Sequence, residues 1–117
     1  MRQVDNRLVE PGFKSLTEPV FLILTSLLDQ PRHGYALIQE VQRISHGRVR
    51  LSTGTLYAAL HRLLEDGWID RFAQQDKSRD KQAYVLTALG RRQLAAEVNR
   101  MKRLAALAQT RMKQTEA

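Results

Sequence analysis

The stretch LSTGTLYAALHRLLEDGWID, residues 51–70, decides the fold. Its leucines at positions 56, 60, 63 and 64 recur at the spacing of one face of an α-helix. Ser52 supplies a hydroxyl that can cap a helix N-terminus, and Gly67 is a residue type that ends helices. The stretch therefore predicts a helix from Thr53 to Asp66. Its other faces carry Tyr57, Ala58, His61, Arg62 and Glu65.

Two further helices are predicted before this one. Thr17-Glu18-Pro19 has the cap, the acid and the proline of a helix start, and an apolar stripe follows up to Leu28. Asp29-Gln30-Pro31 ends that helix. The second helix is predicted from Gly34 to Ser45, with Gly47 as its left-handed cap. Residues 48–51 predict a short extended segment, and residues 1–15, broken by Pro11-Gly12, predict a flexible arm.

A hairpin and a long helix are predicted after the central stretch. Residues 68–73 and 82–86 favour two strands, and the segment between them, residues 74–81, contains no apolar residue. Thr87 caps a last helix that runs from Ala88 to about Met112. This order predicts an α+β, mainly α fold, a winged helix-turn-helix with a long C-terminal dimerisation helix. An unrelated small α+β domain with the same order is the alternative.

Length and charge limit the function classes. The chain has 117 residues, enough for one small core, and a net charge of +7 that favours nucleic acid or an anionic membrane as partner. It has no cysteine, which excludes disulfides, thiolate zinc sites and cysteine nucleophiles. The longest apolar run, residues 20–28, is too short to span a bilayer, and no secretory signal is visible. We therefore expect a cytoplasmic protein.

Five segments resemble one known family. LTEPVF (16–21), HGYA (33–36), LSTGTLY (51–57), LHRLLEDGWI (60–69) and YVLTALG (84–90) resemble the PadR-like transcriptional regulators, over about residues 16–105. The resemblance implies a bacterial or archaeal repressor that dimerises through its C-terminal helix and leaves DNA when a small effector binds. It also implies the division into an arm (1–15), a winged helix-turn-helix domain (16–87) and a dimerisation helix with tail (88–117).

Two departures from the family pattern matter. Thr53 stands where many members carry proline, a change that a helix start tolerates. The C-terminal region is a single helix without tryptophan, which resembles the short branch of the family. The missing tryptophan weakens any transfer of an aromatic drug sandwich to the dimer centre.

The third helix and the wing carry the predicted DNA contacts. In a winged helix the third helix enters the major groove, where base edges are distinguishable, and its N-terminus suits a phosphate. Gly54 permits close approach of the backbone. The predicted DNA-binding residues are Arg48, Arg50, Ser52, Thr53, Thr55, Tyr57, His61, Arg62, Lys77, Arg79 and Lys81.

Each of these assignments has a structural alternative. Ser52 can serve as a cap alone, Tyr57 can pack against the wing, and Arg62 can pair with Asp66. The cations of residues 77–81 can belong to a mobile, solvated loop. Asp76 and Asp80 keep the net charge of that loop small.

The last helix carries an apolar heptad stripe. Residues with spacings of four and three suit packing along a second helix, and Leu104 and Leu107 broaden the stripe. Packing within the chain alone is the alternative. The predicted dimerisation residues are Leu94, Val98, Met101, Ala105, Ala108 and Met112. A possible effector pocket would be lined by Phe21, Trp68 and Met101, for which core packing is the alternative.

The sequence thus predicts a sequence-specific DNA-binding regulator, a homodimer on a pseudo-palindromic operator. A winged-helix protein interaction module is the alternative function. Membrane binding would need aromatic anchors that the last helix lacks. The three histidines are far apart and no catalytic motif is present, so we expect no metal, no cofactor and no enzyme activity.

Overall fold

Four helices and a small antiparallel sheet form the fold, in a computed structural model that describes residues 15–72 and 82–116. The mainly α, α+β class and the predicted order of helices and hairpin are confirmed. The elements in chain order are α1 (Glu18–Ser26), β1 (Arg32–His33), α2 (Gly34–Ile44), α3 (Thr53–Glu65), β2 (Ile69–Phe72), β3 (Ala83–Leu86) and α4 (Ala88–Glu116).

The helix ends follow local hydrogen bonds. Thr17 Oγ1 accepts from the backbone N–H of Val20 at 3.3 Å, which caps α1 as predicted. At the end of α3, Gly67 has φ +77°, and the N–H groups of Gly67 and Trp68 donate back to the carbonyls of Leu64 and Leu63. This is the Schellman arrangement, which turns the chain directly into β2.

The end of α1 differs from the prediction, and the end of α2 has one further feature. The first helix ends at Ser26, before residues 29–31, because Arg32 Nε donates to the Ser26 carbonyl at 2.6 Å and closes the helix from outside. After α2 the predicted left-handed glycine, Gly47, has φ +80°, and its N–H donates to the Gln42 carbonyl at 2.7 Å. His46 before it is also left-handed, at φ +54°, which the sequence did not predict. Residues 49–51 form no strand.

The sheet has the order β1-β3-β2, with both pairs antiparallel. Arg32 and His33 lie opposite Tyr84 and Ala83, so β3 is the central strand. The sequence did not predict β1, because two residues carry no alternation that a pattern could show. This strand fixes the first turn of α2 to the edge of the wing.

The core lies between α1, α2, α3, the sheet and the first turns of α4. Its apolar side chains pack at interior density, so they fix the angles between the helices. The members are Ile23, Leu24, Leu27, Leu37, Val41, Leu56, Leu60, Leu63, Trp68, Ile69, Tyr84 and Leu94.

Helix α4 is attached to the domain by Thr87 and Gly90. The Thr87 hydroxyl donates to the Gly67 carbonyl at 2.6 Å and accepts from the N–H of Gly90 at 3.0 Å. A Cβ at Gly90 would collide with the Trp68 carbonyl, so only glycine lets α4 lie this close. From Met101 to Glu116 the helix is exposed. It ends at Glu116, four residues beyond the predicted end at Met112.

Candidate nucleic-acid interface

Helix α3 has one buried face and one open face. Leu56, Leu60 and Leu63 are buried in the core. The opposite side carries exposed residues, among them two of the smallest residue types: Gly54, Thr55, Ala58, His61, Arg62 and Glu65. A helix face with small residues in its first two turns and polar groups around them can enter a groove closely.

The N-terminus of α3 is open to an anion. Ser52 Oγ accepts from the N–H of Thr55 at 3.1 Å and donates to Thr55 Oγ1 at 3.0 Å, so the predicted cap exists. The N–H groups of Thr53 and Gly54 have no acceptor within the described residues. These free donors at the positive end of the helix dipole suit a phosphate oxygen.

Tyr57 lies on the side of α3 that faces α2. A Cβ at Gly34 would meet the Tyr57 hydroxyl, so the phenol packs over the first residue of α2. The side chain is 36% exposed. The alternative prediction was that Tyr57 packs against the wing, but in the structure it packs against α2.

The start of α2 lies at Gly34 as predicted, but its lack of a side-chain cap is a feature that sequence reasoning missed. Its N-cap residue, His33, makes no side-chain cap hydrogen bond. Gly34, the first residue of α2, was the available signal in the sequence. It leaves room for the Tyr57 hydroxyl beside the backbone N–H groups of this uncapped helix start.

The predicted cations near α3 differ in their partners. Arg48 is bound to Glu18 by an ion pair, and this hydrogen bond holds the pKa of Glu18 below its ordinary value. Arg50 Nε donates to the Gly47 carbonyl at 3.2 Å. Arg62 makes no ion pair in the described part of the chain, and the alternative pair with Asp66 is not formed. His61 Nε2 lies 3.6 Å from Glu65 Oε2.

The wing is described only at its base. Arg71 on β2 is exposed, and its backbone N–H donates to Asp70 Oδ1 at 2.8 Å. Lys77, Arg79 and Lys81 lie outside the described residues, as does most of the predicted arm, residues 1–14.

A cleft of about 260 Å³ lies between the start of α1, the last turns of α3 and Trp68. Its apolar lining includes Val20 and Leu63, and its polar rim includes Thr17, Arg62 and Asp66. Of the three predicted pocket residues only Trp68 lines it. Phe21 packs against the core, and Met101 is exposed on α4, so the structure does not bring the three together.

The heptad residues of α4 divide into two groups. Leu94 is buried in the core of its own chain, and Val98 is half-buried. The later ones are exposed, with Met101 at 46% and Met112 at 59%. Ala105 and Ala108 are exposed with them, beside Leu104 and Leu107. The apolar stripe on this part of α4 therefore packs against nothing in its own described chain and is available to bind another surface.

Two other kinds of site are absent from residues 15–72 and 82–116. No group of three His, Cys, Asp or Glu side chains there could hold a metal ion. No helix there is long and apolar enough to cross a membrane.

Residues 23–96 match the family described as the transcriptional regulator PadR-like family. A transcriptional regulator of Mycobacterium tuberculosis is 37% identical over 83 residues, which are 71% of this chain and 75% of that protein. An uncharacterised transposon protein of Streptomyces fradiae is 35% identical over 83 residues. This chain spans 23% of that protein's length.

Solved structures share the fold. A PadR family transcription regulator of Clostridium difficile superposes with a TM-score of 0.67 at 20% identity, over 82% of this chain and 99% of that one. Bacillus subtilis PadR, solved in complex with operator DNA, superposes with a TM-score of 0.58 at 21% identity. That match covers 68% of this chain and 46% of PadR.

Proposed function

The chain belongs to the PadR-like family of transcriptional regulators, and from this premise we propose that it binds double-stranded DNA in a sequence-specific way as a homodimer. A member of this family is a regulator of transcription and not an enzyme. The Bacillus subtilis relative, whose structure contains operator DNA, supports DNA as the partner. We infer that the protein acts in the cytoplasm.

The open face of α3 carries the proposal. Gly54 lies in the first turn of the helix, and a Cβ there would meet nothing within 4 Å. Glycine in a helix costs about 0.5–1 kcal/mol relative to alanine, and the chain's own packing gives no reason for it. Close approach of a partner to this turn does give a reason. A duplex whose major groove receives α3 would touch Gly54, Ala58 and His61.

Phosphates would hold the protein in register. The start of α2, which has no side-chain cap, and the N–H groups of Thr53 and Gly54 at the start of α3 would offer the positive ends of two helices to the duplex backbone. Arg50 and Arg62 supply cations that have no acidic partner among the described residues. Arg48 belongs to this set only if a phosphate replaces the carboxylate of Glu18.

The exposed stripe of α4 supports the homodimer. Met101, Ala105, Ala108 and Met112 recur at heptad spacing on the part of α4 that is exposed in the described structure. A twofold dimer would present two copies of α3, which read two half-sites about 34–36 Å apart on one side of the duplex. The operator is then pseudo-palindromic.

Repression and its release belong to the same proposal. A dimer bound to a promoter blocks transcription by occupancy. The cleft beside Trp68 would take the effector, because Arg62 lines it and also lies on the open side of α3. A ligand that binds Arg62 would remove one of the cations available to DNA.

The alternative of a protein interaction module is not favoured. A protein-binding face needs a cluster of apolar anchors. In the described structure the open side of α3 carries only small and polar residues, and the one aromatic residue at its edge, Tyr57, packs on α2.

Selection of binding sites from a randomised duplex library tests the function. We expect an enriched pseudo-palindrome whose half-sites are one helical turn apart. Recovery of no preferred sequence, or of a single half-site bound by a monomer, would contradict the proposal. For the effector, quenching of Trp68, the only tryptophan, reports entry into the cleft while DNA release is followed in parallel.

A further inference from the structure

Within residues 15–72 and 82–116, some cations are paired with acids and most of the others lie on two surfaces. Arg32, Arg43, Arg48 and Arg100 each form an ion pair with an acid. Among the remaining described cations none has an acidic partner within 4.0 Å. Arg50, Arg62 and Arg71 belong to the DNA interface already described. The others lie on α4.

Five of the α4 cations share one side of the helix. Residues 11 apart are three turns apart and differ by only about 20° around the axis. Arg91, Lys102 and Lys113 are spaced in this way, and Arg92 and Arg103 repeat the spacing next to them. All five are exposed. We call this set the basic face of α4.

The basic face contains no acid. Residues 88–116 hold seven Lys and Arg against two Glu. Of the two, Glu97 is 2% exposed and bound to Arg100, and Glu116 ends the helix. The only hydrogen bond or ion pair that a side chain of the basic face forms in the described structure is from Arg91 to the Leu28 carbonyl at 3.4 Å.

The proposed dimer would leave this face open. The centre of the apolar stripe that we assign to the dimer and the centre of the basic face are about a third of a turn apart around α4, with Arg91 and Lys102 at the edge nearer the stripe. A partner helix on the stripe would therefore bring more positive charge to the region without covering the cations. Unscreened repulsion of this kind favours a polyanion that neutralises it.

We propose that the basic face of α4 is a second contact for double-stranded DNA, on the duplex that flanks the operator. The inference rests on the proposed DNA-binding function. From Arg91 to Lys113 the face is about 33 Å long, which is close to one turn of the duplex. Its three cationic positions are about 16 Å apart. Such a contact reads no bases and adds affinity through release of counterions from the phosphates.

Flank-dependent binding provides the test. The selected operator is prepared as a duplex that ends at the operator edges and as one extended by 12 base pairs on each side. The face variant is Lys102→Gln with Arg103→Gln. The control, Arg43→Gln with Arg111→Gln, removes the same charge from α2 and from the other side of α4.

We expect the wild type to bind the extended duplex severalfold more tightly. Its log–log salt slope on that duplex should be steeper by about 0.9 for each added phosphate contact. The face variant should lose this gain and bind the short duplex like the wild type, while the control keeps the gain. Lys113→Gln, which changes the exposed end of α4 without touching the domain, should lose part of the gain.

Other outcomes separate the inference from the proposed function. The inference is wrong if the wild type binds the short duplex and gains no affinity from the flanks, or if the face variant keeps the gain. In either case the proposal that the protein binds an operator is unaffected. If neither duplex is bound, the proposed function fails. Binding of the basic face to phosphatidylserine vesicles, with no flank dependence, would assign the surface to a membrane and overturn the inference.

Discussion

Gly54 gives the most specific test at the scale of a single residue. Because its Cβ position is empty space in the free protein, Gly54→Ala should raise the free energy of unfolding by up to about 1 kcal/mol. The same methyl group should lower operator affinity roughly tenfold, since it stands where the groove would meet the helix. Urea unfolding and a binding titration measure the two effects. A stabilised variant with unchanged affinity would mean that this turn does not touch DNA.

Glu97 gives a second residue-scale prediction, for pH dependence. The hydrogen bonds from Arg100, at 2.7 and 2.8 Å, and from the Leu16 N–H keep the pKa of this buried carboxyl below its ordinary value of 4.5. Its stabilising effect is therefore complete above the ordinary value and is lost as the pH falls through the lowered folded value.

Glu97→Gln should lower the free energy of unfolding at pH 7 by about 1–3 kcal/mol. Below the folded pKa the difference between variant and wild type should shrink. Unfolding curves at a series of pH values provide the measurement, with Glu116→Gln as the control. A difference that stays constant down to pH 2 would show that the charge of Glu97 contributes nothing.

Single residues show where sequence reasoning succeeds and where it stops. The caps at Thr17 and Ser52 are local interactions over three residues, so the sequence predicts them. The pair of Arg48 with Glu18 joins residues 30 positions apart, and nothing in either neighbourhood indicates the partner. Tyr57 over Gly34 is of the same kind, because the close approach of two helices depends on the packed core.

At the scale of elements, helices were predicted more accurately than the sheet. Periodic apolar residues identify a helix over several turns, so α2 and α3 agree with prediction to within one residue. Strand β1 has two residues and depends on β3, which lies 50 positions away. The early end of α1 depends on the side chain of Arg32, which a pattern of apolar residues does not report.

The exposed stripe of α4 leads to a prediction for dimerisation. Because Val98 is half-buried in its own domain, a charge there could also disturb the fold. The test therefore uses the exposed part of α4, with the double variant Met101→Glu and Ala105→Glu. Charges buried at the seam should weaken the dimer by several kcal/mol. Asn99→Glu with Ala106→Glu puts two acids on the same length of helix away from the stripe and is the control. Sedimentation at micromolar concentration should show monomers for the first variant only, and dimers in both would refute this seam.

Helix α3 and the wing should contribute differently to recognition. His61→Ala changes a fixed side chain on the open face of α3, so it should cost about 1–3 kcal/mol at particular base pairs and relax the preference there. Arg79→Ala should weaken all sequences alike and flatten the salt slope by about one unit. Competition against a library of operator variants measures both. If Arg79→Ala changes the base ranking and His61→Ala does not, the wing reads the minor groove.

At the scale of the whole molecule, the chain has a net charge of +7, and in its described part the unpaired cations lie on the recognition side and on α4. The total charge follows from the composition, and it favoured a polyanionic partner without distinguishing nucleic acid from an anionic membrane. Its distribution depended on the fold, since acids neutralise Arg32, Arg43, Arg48 and Arg100 and leave the other described cations open. The charge that can act on DNA is thus set by which ion pairs form.

Salt dependence of operator binding tests this division in the intact dimer. Each phosphate neutralised by a cation releases counterions, so the log–log slope should be about −0.9Z, with Z on the order of 6 to 10 for two copies of α3 and two wings. Titrations on the operator-length duplex between 50 and roughly 200 mM salt measure it. Arg62→Gln, which removes an unpaired cation, should flatten the slope by nearly two units per dimer. Arg43→Gln, which removes one already bound to Glu40, should leave it almost unchanged. Equal slopes for all three proteins would show that pairing within the chain does not decide which cations meet the duplex.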